Sequence, residues 1–211
     1  MYLSDRDLKF AVETKQLIVN PPPEEYDTTS IDLHLDRVEE AKIWDVEAFK
    51  ARQEEAGNDP WLRVGKYKFR AFSRDFYRSI PADPNHANLV YRDGDRVILR
   101  PGGFFLWQTR EAVGTPEIDP RLICFIDGKS SSARTGLLVH MTAPTIHAGW
   151  WGQITLEIAN LGPFDLCLAE GDAISQIVVA SISSPPMKRK SDRGIAIGQR
   201  DVGGASSSSE V

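Results

Sequence analysis

Three sets of residues between Asp127 and Glu157 (DGKSSSARTGLLVHMTAPTIHAGWWGQITLE) could do chemistry. The first is Gly128, Lys129, Ser130, Ser131, Ser132, Ala133 and Arg134, which gathers backbone N–H groups, hydroxyls and two cations in one short run. Such groups suit phosphate oxygens. This is no conventional P-loop, because that motif needs a glycine five residues before Gly128, where Ile123 stands. The same composition describes a polar loop between strands, and spacing alone leaves both readings open. The second is Glu157, inside Gln153–Asn160. Alternation places it on one face with Gln153, Thr155 and Ala159, opposite Ile154, Leu156 and Ile158. That face is either solvated or holds a carboxylate as a general base on a rigid strand. The third is His140 and His147, which with Glu157 make a two-His, one-carboxylate set in composition. Neither H-x-H nor H-E-x-x-H spacing occurs, so a metal site is not expected. His34 and His86 have no partner in the sequence and read as structural or surface residues. Trp150 and Trp151 read as core or subunit-contact material, and the Gly149–Gly152 bracket as a tight turn.

The elements that must position these residues are mostly short strands. Runs at Arg96–Leu99, Phe104–Thr109, Leu122–Asp127, Gly136–His140, Gln153–Asn160, Phe164–Leu168 and Ala173–Ala180 are separated by turn signals such as Pro101-Gly102-Gly103 and Glu170-Gly171-Asp172. This pattern predicts a mainly β sandwich, jelly roll or barrel. Before it, a helix begins after Ser4, with Leu8, Ala11 and Val12 on one face, and Ser30–Leu35 alternates as a strand. Asp45–Glu55 reads as a helix ended by Gly57. Residues 40–90 read as an insert too short for its own core. After Ile182 periodicity is lost, and Gly203–Ser209 has linker composition.

The chain has 211 residues, 25 Lys plus Arg and 30 Asp plus Glu, for a formal charge of −5. That predicts one domain and excludes a basic nucleic-acid coat. No apolar run is long enough to span a bilayer and the N-terminus lacks the apolar core of a signal peptide, so no membrane partner and a cytoplasmic location are expected. Cys124 and Cys167 match no metal spacing and, each in an apolar run, read as buried free thiols.

In order along the chain, GKSSSARTGL, VHMTA, IHAGWWG and ITLE resemble the dCTP deaminases of the dUTPase-like superfamily. MYLSDRD with LIVNP, SIDLHL, LRPG with TREAV, and LAEGDAISQI extend the resemblance; only residues 40–90 and the tail look foreign. The resemblance implies a distorted jelly roll of residues 1–186 with a lid or tail at 187–211, assembled as a homotrimer with active sites between subunits. Lys129, Ser130, Ser131, Ser132, Ala133 and Arg134 would hold the triphosphate, which arrives with Mg2+ as its counter-ion; no other cofactor is implied. Glu157 would be the general base for water attack at cytosine C4, giving dUTP and ammonia for thymidylate synthesis. Ser130 and the Ala143 carbonyl would hold the water and the exocyclic amine, Arg134 would position Glu157, and the backbone of Thr155 and Leu156 would contact the base. His140, His147 and Gln199 complete the implied substrate contacts.

Two positions depart from the family pattern. His147 stands where the family carries an aspartate that reads the deoxyribose and supports dUTP hydrolysis. A histidine supplies no fixed negative charge, which argues against that hydrolysis. In the tail, Ile195 and Ala196 stand where a Lys-Tyr pair is expected, although Gln199 falls near the lid glutamine. Lys188, Arg189, Lys190, Arg193 and Arg200 against Asp192 and Asp201 describe either a solvated tail or a lid over a triphosphate. A dUTP diphosphatase, a bifunctional dUMP-forming enzyme and a non-catalytic trimeric nucleotide binder are the alternatives.

Overall fold

The computed structural model describes residues 1–191 and 197–203. Helix α1 (Asp5–Glu13) turns Leu8 and Ala11 inward and carries Asp5 and Asp7 in its first turn, where carboxylates complement the helix dipole. Next come β1 (Ile18–Asn20), β2 (Ser30–His34), a 3-10 turn at Val38–Glu40 and β3 (Lys42–Trp44). Helix α2 (Val46–Glu55) is capped by the Asp45 carboxylate, which accepts from the Ala48 N–H at 3.0 Å. Helix α3 (Phe69–Phe76), β4 (Tyr77–Ser79), β5 (Val90–Asp93) and β6 (Arg96–Leu99) follow. The second half holds β7 (Phe104–Gly114), β8 (Leu122–Gly128), the single helical turn α4 (Ser130–Ala133), β9 (Leu137–Leu138), β10 (Thr145–Ile146), β11 (Trp151–Asn160), β12 (Leu166–Ala169) and β13 (Ala173–Ser181).

The strands form three sheets. The largest runs β4-β3-β7-β11-β9, with β1 on the far half of β7. A four-stranded sheet runs β10-β8-β13-β2, and a three-stranded one β12-β6-β5. All named pairings are antiparallel, and the arrangement is mainly β and jelly-roll-like. Alternation fills the interior. Phe105 and Trp107 of β7, Leu156 and Ile158 of β11, Ile31 and Leu33 of β2 and Ile177 of β13 are fully buried in one core cluster. Each such side chain contributes about 1.5–3 kcal/mol relative to exposure. Because Leu156 and Ile158 are anchored inward, the intervening Glu157 must face outward from the core.

The structure refines or corrects several expectations. Residues 40–90, read as an insert without its own core, contribute β3 and β4 to the largest sheet through the Lys42↔Leu106 pairing to β7. The run Gly136–His140 pairs only at Leu137–Leu138, and β12 starts at Leu166. Cys124 is buried, but Cys167 is exposed, because alternation along β12 turns Leu168 inward and Cys167 out. His34, read as a structural or surface residue, is structural: its Nδ1 lies 2.8 Å from the buried carboxylate of Glu111, which also accepts the His34 N–H. Among the described residues no helix is long and apolar enough to cross a membrane.

Candidate active site

A cavity of about 770 Å³ opens on the Glu157 face of the largest sheet, within the usual size of small-molecule sites. Register explains its walls. Glu157 lies opposite Leu106, Leu106 opposite Lys42, and Trp44 opposite Tyr77. Directly opposed residues and their i±2 neighbours share a face, so Trp44, Tyr77, Phe104, Leu106, Thr155 and Glu157 all line the same hollow. Glu157 is half-buried, and its Oε2 accepts the Met141 N–H at 3.3 Å. The Asp36 carboxylate accepts from Gln108 Nε2 at 2.7 Å and from Gln153 Nε2 at 2.9 Å, tying β7 to β11. A bulge between Gln153 and Thr155 lets Ile154 reach the cavity as well.

The tail runs alongside β11. The Gly198 N–H donates to the Trp151 carbonyl at 2.8 Å and the Gln153 N–H to the Gln199 carbonyl at 2.9 Å. Gln199 Nε2 donates to Thr155 Oγ1 at 2.9 Å, and Val202 is buried. Gly152 permits this approach, since a Cβ there would stand 2.7 Å from the Gln199 nitrogen. Lys190 also lines the cavity. Ile195 and Ala196, expected to replace the lid's Lys-Tyr pair, lie outside the described residues.

The serine run stands elsewhere. Ser130–Ala133 form α4, with Lys129 at its N-cap and Arg134 at its C-cap. Lys129 makes an ion pair with Asp32. Ser131 and Ser132 line a separate cleft against Leu166–Leu168. The turn is pinned at Gly136 (φ +96°), where a Cβ would meet the Gly162 nitrogen at 2.1 Å. None of Lys129–Arg134 lines the Glu157 cavity. Arg134, expected to position Glu157, stands exposed at the end of α4.

The other sequence-predicted residues do converge. His140, Ala143, His147, Thr155, Glu157 and Gln199 line one cavity, with Ala143 and His147 at its exposed rim. Leu156 turns its side chain into the core and leaves only its backbone toward the sheet. Among the described residues no group of three His, Cys, Asp or Glu side chains is arranged to hold a metal ion. Trp44, Phe69 and Tyr77 also form the wall, and sequence reasoning passes over them. Phe69 and Tyr77 fall in an aromatic-dense stretch, Trp61–Tyr77, of the segment read as an insert, while Trp44 lies outside that stretch.

The dCTP deaminase-like family model matches residues 2–182, running through the insert as well as the sheet. The chain is 36% identical over 191 residues to the "dCTP deaminase, dUMP-forming" of Thermobifida fusca, covering 88% of this chain and 80% of that protein. It is 30% identical over 196 residues to the "dCTP deaminase" of Thermomicrobium roseum, covering 89% and 83%. The crystal structure of the 2'-deoxycytidine 5'-triphosphate deaminase from Agrobacterium tumefaciens shares the fold, with a TM-score of 0.54 at 17% identity, over 84% of this chain and 47% of that one. The chain belongs to the dCTP deaminase-like family.

Proposed function

We propose that the protein deaminates dCTP to dUTP and ammonia without a resident metal. Glu157 removes a proton from water as its oxygen bonds to cytosine C4 and the C4=N3 electron pair moves onto N3. The carboxylate then gives that proton to the exocyclic nitrogen as the C4–NH2 bond breaks and ammonia leaves, and the remaining water proton passes from oxygen to N3 as C4=O forms, so one carboxyl group serves as base and acid in turn. The Ala143 carbonyl, at the rim of the same cavity, accepts from the water or the amine. The observation that carries this reading is the placement of Glu157: a carboxylate on a core-anchored strand, touched by the Met141 N–H and facing a cavity with room for a nucleotide.

The separation of the serine turn from that cavity supports an assembly in which α4 of a second copy completes the site. A homotrimer with three such interfaces closes the arrangement. Ser130 of the neighbouring copy would then hold the attacking water, and its Arg134 would hold Glu157. Lys129, Ser131, Ser132 and the Ala133 backbone would take the triphosphate and its Mg2+, the substrate's own counter-ion. The tail along β11 acts as the lid, with Gln199 beside the base.

The names of several relatives favour a second reading. Thermobifida fusca and Dictyoglomus turgidum relatives, at 36% and 32% identity, are named dUMP-forming, so a following hydrolysis of dUTP to dUMP and pyrophosphate is the alternative. His147 counts against it. Incubation with dCTP and, separately, dUTP separates the readings. Ammonia without dUMP supports deamination alone, dUMP from dCTP supports the coupled reaction, and binding without either product leaves a nucleotide-binding protein.

A further inference from the structure

The wall opposite Glu157 is built from the insert and carries an unused donor. Tyr77 sits on β4, paired with Trp44 of β3, and their rings pack at 4.3 Å between centroids, tilted by 45°. The Tyr77 hydroxyl is buried and, among the described residues, has no hydrogen-bond partner. The same holds for His140 Nδ1, and both residues line the Glu157 cavity. A buried hydroxyl without a partner is costly unless a ligand supplies one. Burial first, then the negative charges of Glu157 and Asp201, hold the Tyr77 hydroxyl well above its ordinary pKa. It therefore stays protonated and acts as a donor.

We infer that Tyr77 is a substrate-binding residue whose hydroxyl donates a hydrogen bond to the 2-carbonyl oxygen of the pyrimidine, with the Trp44 ring as the apolar wall beside it. The assignment rests on the deaminase reading. The 2-carbonyl is meta to C4, across N3, so a ring that presents C4 to Glu157 on β11 and its sugar-bearing N1 to the cavity mouth turns that acceptor toward the cavity wall that holds Tyr77. The insert thus senses the base at a position that does not react. Removing an interaction made equally in ground and transition states raises KM and leaves kcat nearly unchanged.

The test pairs Tyr77→Phe with dCTP and 2-thio-dCTP, whose sulfur is a poor acceptor, in the full-length protein. Tyr77→Phe raises KM for dCTP roughly tenfold, wild type shows a similar rise on 2-thio-dCTP, and the variant shows no further rise on the analogue. Independent, multiplying effects of the two changes would overturn the assignment, as would an unchanged KM in the variant. If Tyr77→Phe lowers the melting temperature enough to confuse the comparison, wild type alone decides: equal KM for dCTP and 2-thio-dCTP removes the assigned hydrogen bond. Wild-type protein that releases no ammonia from dCTP removes the deaminase reading and this assignment with it.

Discussion

Glu157 and the serine turn belong to one proposed reaction but are built in opposite ways. Glu157 sits mid-strand on a ten-residue β11, paired to β7 and flanked by the fully buried Leu156 and Ile158. Ser130–Ala133 is one helical turn with no buried residue, held by a Gly136–Gly162 backbone approach and the Lys129–Asp32 pair. The rigid element carries the group whose angle to a reacting carbon must be set. The exposed element carries groups for a flexible, charged chain of phosphates. The first half lines a cavity of one chain, and in the proposed assembly the second is supplied by another copy.

The largest effect should come from the rigid half. Glu157→Gln is expected to lower kcat by about 10²–10⁴-fold, with the assembly mass unchanged by light scattering; ammonia release at the wild-type rate would sink the assignment. Mixing tests the division of labour itself. Glu157→Gln and Arg134→Ala should each be nearly inactive alone, yet regain on the order of a quarter of wild-type activity when co-assembled, the chance of two intact halves meeting at one interface. No recovery in verified mixed assemblies would place both halves in the same chain. A smaller effect is expected at the lid. Gly152→Ala pushes a Cβ against Gln199 and should raise the KM for dCTP several-fold, and truncation before Met187 more, because each backbone hydrogen bond to the tail is worth about 0.5–1.5 kcal/mol. Unchanged saturation curves would assign the tail no role in binding. Least disturbing is a thiol count. Burial pushes Cys124 up to about 12, so near neutral pH one thiol per folded chain, Cys167, should react with a disulfide reagent and two in denaturant. Two fast thiols in the folded protein would contradict the burial of Cys124.

Much of the β framework was legible in the sequence because alternation and turn residues speak over five residues or more. Arg96–Leu99 is β6 to the residue, the helix read at Asp45–Glu55 is α2, and the face assigned to Glu157 is the face that opens on the cavity. Short pairings were not legible. Strands β3 and β4 have three residues each, too few to show a period, and their assignment depends on β7, more than twenty residues away. Tyr77 therefore reads as aromatic density and not as a wall, and Trp44 gives no signal at all. That the serine turn and Glu157 line different clefts is hidden for another reason: nearness in sequence does not say which cleft a turn borders once the strands have paired.

The pairing of Gln199 with Gly152 has a consequence apart from catalysis. Strand β9 covers β11 only at Ala159 and Asn160, while the tail occupies the Trp151 carbonyl and the Gln153 N–H at the other end. The tail thereby masks an open sheet edge that could otherwise template pairing with a foreign strand. Shortened chains should accordingly self-associate at concentrations where the full chain stays dispersed.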